Sequence, residues 1–173
     1  IYMIVMLASF LANQINLIFM FVLMINISMG QIVEGYSFTD YKSAKSKVIK
    51  KAKINYSSNP TAKQFKTLIT QDYNGKIDFA SFYNIILWGC GTGCISGVMI
   101  DVRDGKVYDL PSLGWDNCGI DGKYDEDDRT IYKGNSRLFV TGLCESNYDS
   151  STYEKTFFIY EWNELKKKFI KIK

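Results

Sequence analysis

Polar and apolar positions change their rhythm three times along the chain. No charge occurs before Glu34. Within that stretch Asn13, Gln14 and Asn16 interrupt the apolar residues and leave a run from Leu17 to Ile25. The run is shorter than the ~20 residues of a membrane span and fits the apolar core of a signal peptide. Ser28 and Gly30 put small residues ahead of a cut before Gln31. Residues 1–30 are therefore read as a signal peptide or an uncleaved N-terminal anchor, and 31–173 as a single exported globular domain. Ile1 in first place, with no basic residue ahead of the run, is expected of a fragment or of a reading frame that begins upstream of the true start.

The second rhythm is helical. Val48, Ile49, Ala52 and Ile54 fit a helix or a strand equally, but from Asn59 the signal sharpens. Asn59 suits an N-cap and Pro60 the first helical position, and Phe65, Leu68 and Ile69 recur at helical spacing up to Gly75. The spacing predicts one helix over 60–74. From Phe82 onward the pattern is that of strands: 82–88, 97–102, 106–110, 129–133, 136–141, 155–162 and 168–172. Asp104-Gly105 suggests a type I′ hairpin turn, and 163–167 the turn before the last strand. The expected fold is α+β, one N-terminal helix packed on a curled antiparallel sheet of about seven strands in hairpin order. A mainly-β sandwich or open barrel is the alternative. Trp88, Ile100, Val107, Leu138, Val140, Phe158 and Trp162 are expected to share its core.

Composition narrows the function. The 173 residues are 47% apolar and 23% charged, which suits one folded domain. There is no histidine, so Ser-His-Asp triads, Cys-His dyads and His-ligated zinc are excluded. The four cysteines, Cys90, Cys94, Cys118 and Cys144, are an even number in the exported part and allow three pairings. Close spacing favours Cys90–Cys94, leaving Cys118–Cys144, which would close a loop of about 27 residues and stabilise by roughly 3–4 kcal/mol. Eight lysines between Lys42 and Lys66, with no acid among them, make a basic stretch suited to an anionic envelope polymer or lipid headgroup. Nucleic acid is not expected as a partner of an exported protein. From Asp101 to Asp128 nine acids face three bases.

The densest motif is Trp88-Gly89-Cys90-Gly91-Thr92-Gly93-Cys94. Alternate glycines between two cysteines suit a disulfide-pinned bend between adjacent strands. An anion-binding nest of backbone N–H groups at Gly89, Gly91, Thr92 and Gly93 is a second reading, and thiol redox chemistry a third. Val98-Met99-Ile100 continues as strand, which argues against a dinucleotide-binding loop. With Phe79-Ala80-x-x-Tyr83, Gly97-x-x-Ile100-Asp101, Gly105-Lys106-Val107-Tyr108, Asn135-Ser136-Arg137-Leu138 and Tyr160-x-Trp162, the motif resembles a group of small exported bacterial proteins with no assigned activity. That group often has Phe-Ala-Gly-His-Tyr where this chain has Phe79-Ala80-Ser81-Phe82-Tyr83. The resemblance implies export and a shared fold, and transfers no catalytic residue.

Three weaker constellations remain. Asn117, Gly119, Asp121, Gly122 and Asp128 echo a calcium loop, although Gly119 has no ligating side chain and the last position is Asp rather than Glu. Asp101 and Asp104 could pair as carboxylates on a glycoside, or simply serve a turn and an ion pair. Arg137 is expected to pair with an acid of the 101–128 region and to join the glycine motif as a ligand-binding residue. These features point to an exported, disulfide-stabilised binding or protective module, such as an inhibitor or immunity protein. It would need no cofactor, and its partner would be a protein or an anionic envelope component. A carboxylate-dependent hydrolase of an envelope polymer is the alternative.

Overall fold

The computed structural model describes residues 32–45, 47, 50–91, 94–113, 130–147 and 152–173, with the backbone alone for 143–147 and 152–155. The expectations for residues 1–30, for Thr92 and Gly93, and for Asn117, Cys118, Gly119, Asp121, Gly122 and Asp128 lie outside these residues. So does the pairing of Cys118 with the Cys144 side chain.

The described chain is mostly β, with antiparallel sheets and few helices. A two-stranded ribbon, β1 (Ile32–Val33) and β2 (Tyr36–Ser37), comes first. Two short helices follow, α1 (Pro60–Gln64) and α2 (Lys66–Asp72). The next strands are β3 (Tyr83–Gly91), β4 (Cys94–Asp101) and β5 (Val107–Asp109), which form a three-stranded sheet in that order. A four-stranded sheet runs β6 (Thr130–Tyr132), β7 (Leu138–Asn147), β8 (Thr152–Asn163) and β9 (Lys168–Lys171). The seven strands β3–β9 thus divide between two sheets rather than forming one.

The expected helix over 60–74 is two pieces. Asn59 caps the first through its side chain, Oδ1 accepting from Ala62 N at 3.0 Å, with Pro60 inside the first turn. Phe65 then leaves helical geometry at φ −103°, ψ 27° and separates α1 from α2. Its ring lies tilted against Trp88 with centroids 5.1 Å apart, a tertiary contact that competes with an unbroken helix. The turn at Asp104-Gly105 is not type I′. Gly105 has φ +77° but Asp104 has no positive φ, and Gly105 N donates to Asp101 O at 2.8 Å, closing a longer loop.

Strand alternation sorts the apolar residues into three cores. Between the sheets lie Tyr83, Ile85 and Met99 from one and Phe139 and Trp162 from the other, with Phe79 and Leu113. On the opposite face of the three-stranded sheet, Ile86, Trp88, Val98, Ile100 and Val107 meet Ala62 and Ile69 of the helices. On the far face of the four-stranded sheet, Leu138, Val140 and Ile159 pack against Val33 and Phe38 of the ribbon. The layers run helices, three-stranded sheet, four-stranded sheet, ribbon. The single core expected from Trp88, Ile100, Val107, Leu138, Val140, Phe158 and Trp162 is corrected accordingly. Trp88, Ile100 and Val107 are in the helix-side core, Leu138 and Val140 in the ribbon-side core, and Trp162 between the sheets. Phe158 is only partly buried and takes Lys171 Nζ over its ring at 4.4 Å.

Candidate functional site

The last strand of each sheet borders a common cleft of about 550 Å³. One wall is β5 and the extended Leu110-Pro111-Ser112, together with Ser58 and Asn59 from the approach to α1. The other is Tyr160 and Trp162 of β8 with Lys167, Lys168 and Phe169 at the start of β9. The cleft follows from the fold: the two inner faces meet through large aromatic rings, and among the described residues the sheets have no further strand beyond β5 and β9. Tyr108 and Trp162 meet edge-on at 5.4 Å, and Trp162 and Phe169 at 5.0 Å, so the floor is a rigid aromatic cluster.

A charged clasp closes one end. Asp101, 2% exposed at the end of β4, accepts from Arg103 Nε at 2.7 Å and from Arg103 Nη2 at 2.5 Å. Arg103 Nη2 also reaches Glu164 Oε1 at 2.6 Å, and its guanidinium lies 4.1 Å over the Phe82 ring. Glu164 Oε2 accepts from Tyr83 Oη at 2.6 Å and from Trp162 Nε1 at 2.8 Å. Lys167 Nζ donates to Glu164 Oε1 at 2.7 Å and to Tyr83 Oη at 2.8 Å, and lies 3.4 Å from Asp101 Oδ2. The left-handed φ of +48° at Lys167 aims the side chain inward. Two carboxylates and two cations thus join the β4–β5 loop, the start of β3 and the β8–β9 turn.

The electrostatics follow from this geometry. Burial pushes the Glu164 carboxyl up, but hydrogen bonds from Lys167, Tyr83, Arg103 and Trp162 outweigh it and hold the group at about 2. Asp101 is likewise pushed up by burial, and Arg103 brings it below its ordinary value. Burial, reinforced by the neighbouring Glu164, raises the Tyr83 hydroxyl strongly. Away from the clasp, burial raises the Asp78 carboxyl, although Ile85 N and Asn84 Nδ2 donate to it at 2.8 and 3.1 Å.

The residues singled out in the sequence are not brought together in this site. Gly89 and Gly91 belong to β3 at the tip of the β3–β4 hairpin, where Cys90 and Cys94 form a disulfide-compatible pair with Cα atoms 5.1 Å apart. Arg137 pairs with Glu161 on the neighbouring strand, beside the register partners Leu138 and Glu161, and the acids at 116–128 lie outside the described residues. Arg137 Nε also donates to Lys42 O at 3.4 Å. Asp104 accepts from Lys106 N at 3.0 Å within its turn and stays apart from the Asp101 pair. The cleft and clasp residues Tyr108, Glu164 and Lys167 were missed. The available signal was a Glu and a Lys three apart in a turn that follows Trp162, but it looks like an ordinary polar turn. Among the described residues no group of acids or cysteines is arranged to hold a metal ion, and no helix is long and apolar enough to cross a membrane.

Comparison with known proteins finds no matching family model, no matching curated protein and no matching solved structure.

Proposed function

We propose that residues 31–173 form an exported, disulfide-stabilised binding or protective module whose ligand lies in the cleft between β5 and β9. The observation that carries this reading is the cleft itself. It sets the rings of Tyr108, Tyr160, Trp162 and Phe169 among polar and charged groups, Ser58, Asn59, Asp109, Lys167 and Lys168, so both stacking and hydrogen-bonding partners face one concave space. The pairing of Cys90 with Cys94 supports an oxidising compartment, and with it the reading of residues 1–30 as an export segment. A protein partner, as for an inhibitor or immunity protein, or an anionic envelope component is the expected occupant. The hydrolase alternative needs a carboxyl free to exchange a proton. Asp101 and Glu164 are instead held as anions by Arg103 and Lys167, and Asp109 is the one acid among the described cleft-lining residues, without the second carboxyl that such chemistry uses, which supports binding over catalysis.

Two measurements test this. Fractionation of the native host should place the protein outside the cytoplasm, and mass spectrometry should give a mature chain beginning near Gln31. Amide spectra recorded with host envelope and secreted fractions should show shifts concentrated at Tyr108, Leu110 and Phe169. A cytoplasmic protein, or shifts confined to residues remote from the cleft, would overturn the reading.

A further inference from the structure

Among the described residues β9 is the last strand of its sheet, and its hydrogen-bonding alternation can be followed from its far end. Ile172 N donates to Ile159 O at 2.8 Å, so Ile172 faces β8. The register Glu161 to Ile170 and Asn163 to Lys168 places those residues at the same phase. Phe169 and Lys171 therefore turn their backbone N–H and C=O groups away from β8, toward the open side. Phe169 also lines the cleft. The facing wall differs: Asp101 N donates to Lys106 O, and the outward Val107 N of β5 is already taken by Ser58 Oγ at 3.0 Å, so β9 carries the free edge among the described residues.

Charge says what fits this edge. Lys166, Lys168 and Lys171 are exposed and make no ion pair among the described residues. β9 carries no acid of its own, and Glu161 and Glu164 beside it are taken by Arg137 and by Arg103 with Lys167. A second copy of the chain would bring lysine against lysine, the arrangement by which edge strands resist self-pairing. An acidic strand meets Lys168 on one face and Lys171 on the other.

We propose that an extended, acidic polypeptide segment adds to the outer edge of β9 and enters the cleft, continuing the four-stranded sheet by one strand. Backbone pairing with Phe169 and Lys171 supplies register, and the unpaired lysines select for acids. This rests on the binding reading and names the ligand class of the same cleft.

The test is a titration of the full chain with a short synthetic peptide built on Glu-Val-Val-Glu, which puts one acid on each face, followed by amide spectra and hydrogen exchange. The Phe169 and Lys171 amides should shift and gain protection. Lys171→Pro removes an outward N–H that the fold does not use, a substitution edge strands tolerate, and should weaken binding about tenfold or more. Lys171→Gln keeps that N–H and should weaken it only about two- to fivefold. The double variant Lys168→Glu, Lys171→Glu should lose this peptide and bind its counterpart built on Lys-Val-Val-Lys. Equal affinity for the Pro variant and wild type, or binding that leaves both amides unchanged, would overturn strand addition. No binding up to about 1 mM peptide, while host envelope fractions still shift the Tyr108 and Leu110 amides, would overturn the acidic strand and leave the binding reading standing. Silence of those amides toward both would overturn both.

Discussion

Single residues in this fold are constrained for different physical reasons, and substitutions that look alike should separate. A Cβ on Gly105 would lie 1.9 Å from Lys53 O, a backbone atom, and φ there is +77°. Gly89 has no positive φ, and its Cβ would meet nothing within 4 Å. Gly105→Ala should therefore cost more than about 2 kcal/mol, since strain adds to the clash. Gly89→Ala should leave stability unchanged or raise it by up to about 1 kcal/mol. Urea unfolding of the two variants decides this, and equal midpoints would contradict it. Thr141 gives the opposite case. It is fully buried in β7, and its hydroxyl has no hydrogen-bond partner. Thr141→Val keeps the shape and removes an unsatisfied polar atom, so the variant should be about 1 kcal/mol more stable in the same assay.

At the scale of elements, the clasp makes the joining of the β4–β5 loop to the β8–β9 turn depend on pH. Glu164 is held at about 2 in the folded protein against an ordinary 4.5. A carboxyl lowered by folding stabilises fully above its unfolded value, and that contribution is lost as pH falls from about 4.5 toward about 2. Asp101 is shifted in the same direction. Wild type should lose stability steeply across that window. Glu164→Gln should be less stable at neutral pH and show a flatter acid limb, with the residual slope carried by Asp101. An unchanged slope in the variant would mean that Glu164 is not linked to folding. Little of this clasp was legible in the sequence. The strands were, because runs such as Tyr83-Asn84-Ile85-Ile86-Leu87-Trp88 announce themselves by composition. The Asn59 cap was, because its bond to Ala62 is local. The break at Phe65 was not, since it depends on Trp88 across the core. Glu164 and Lys167 were hidden for the same reason: their partners Tyr83, Asp101 and Arg103 lie more than sixty residues earlier in the chain, and register alone brings them there. The pairing of Arg137 with Glu161 was hidden as well, because cross-strand neighbours need a pairing scheme that spacing does not supply.

For the whole molecule, the layered arrangement ranks the sources of stability. The interface between the two sheets holds Phe79, Phe139, Trp162 and Phe169 in mutual ring contact at 5.0–5.8 Å. Phe139 is fully buried in the central core, where its ring meets Phe79, Tyr132 and Phe169. Its truncation to Ala removes those contacts and leaves a cavity that the neighbouring rings cannot fill, at a cost of about 3–5 kcal/mol. The Cys90–Cys94 pair lies instead at a hairpin tip, four positions apart, where Cys90 is exposed and the strands are already paired through Gly89 to Ile95. Closing so small a loop restricts the unfolded chain by only about 2 kcal/mol in loop-closure entropy. Cys90→Ser with Cys94→Ser should therefore lower the melting temperature less than Phe139→Ala does, and its exchange protection should fall near the tip while Phe139 and Trp162 stay protected. Thermal melts and hydrogen exchange on the two variants give the comparison. A larger drop for the cysteine variant, or loss of protection reaching Trp162, would place the stabilising centre at the hairpin tip instead of between the sheets.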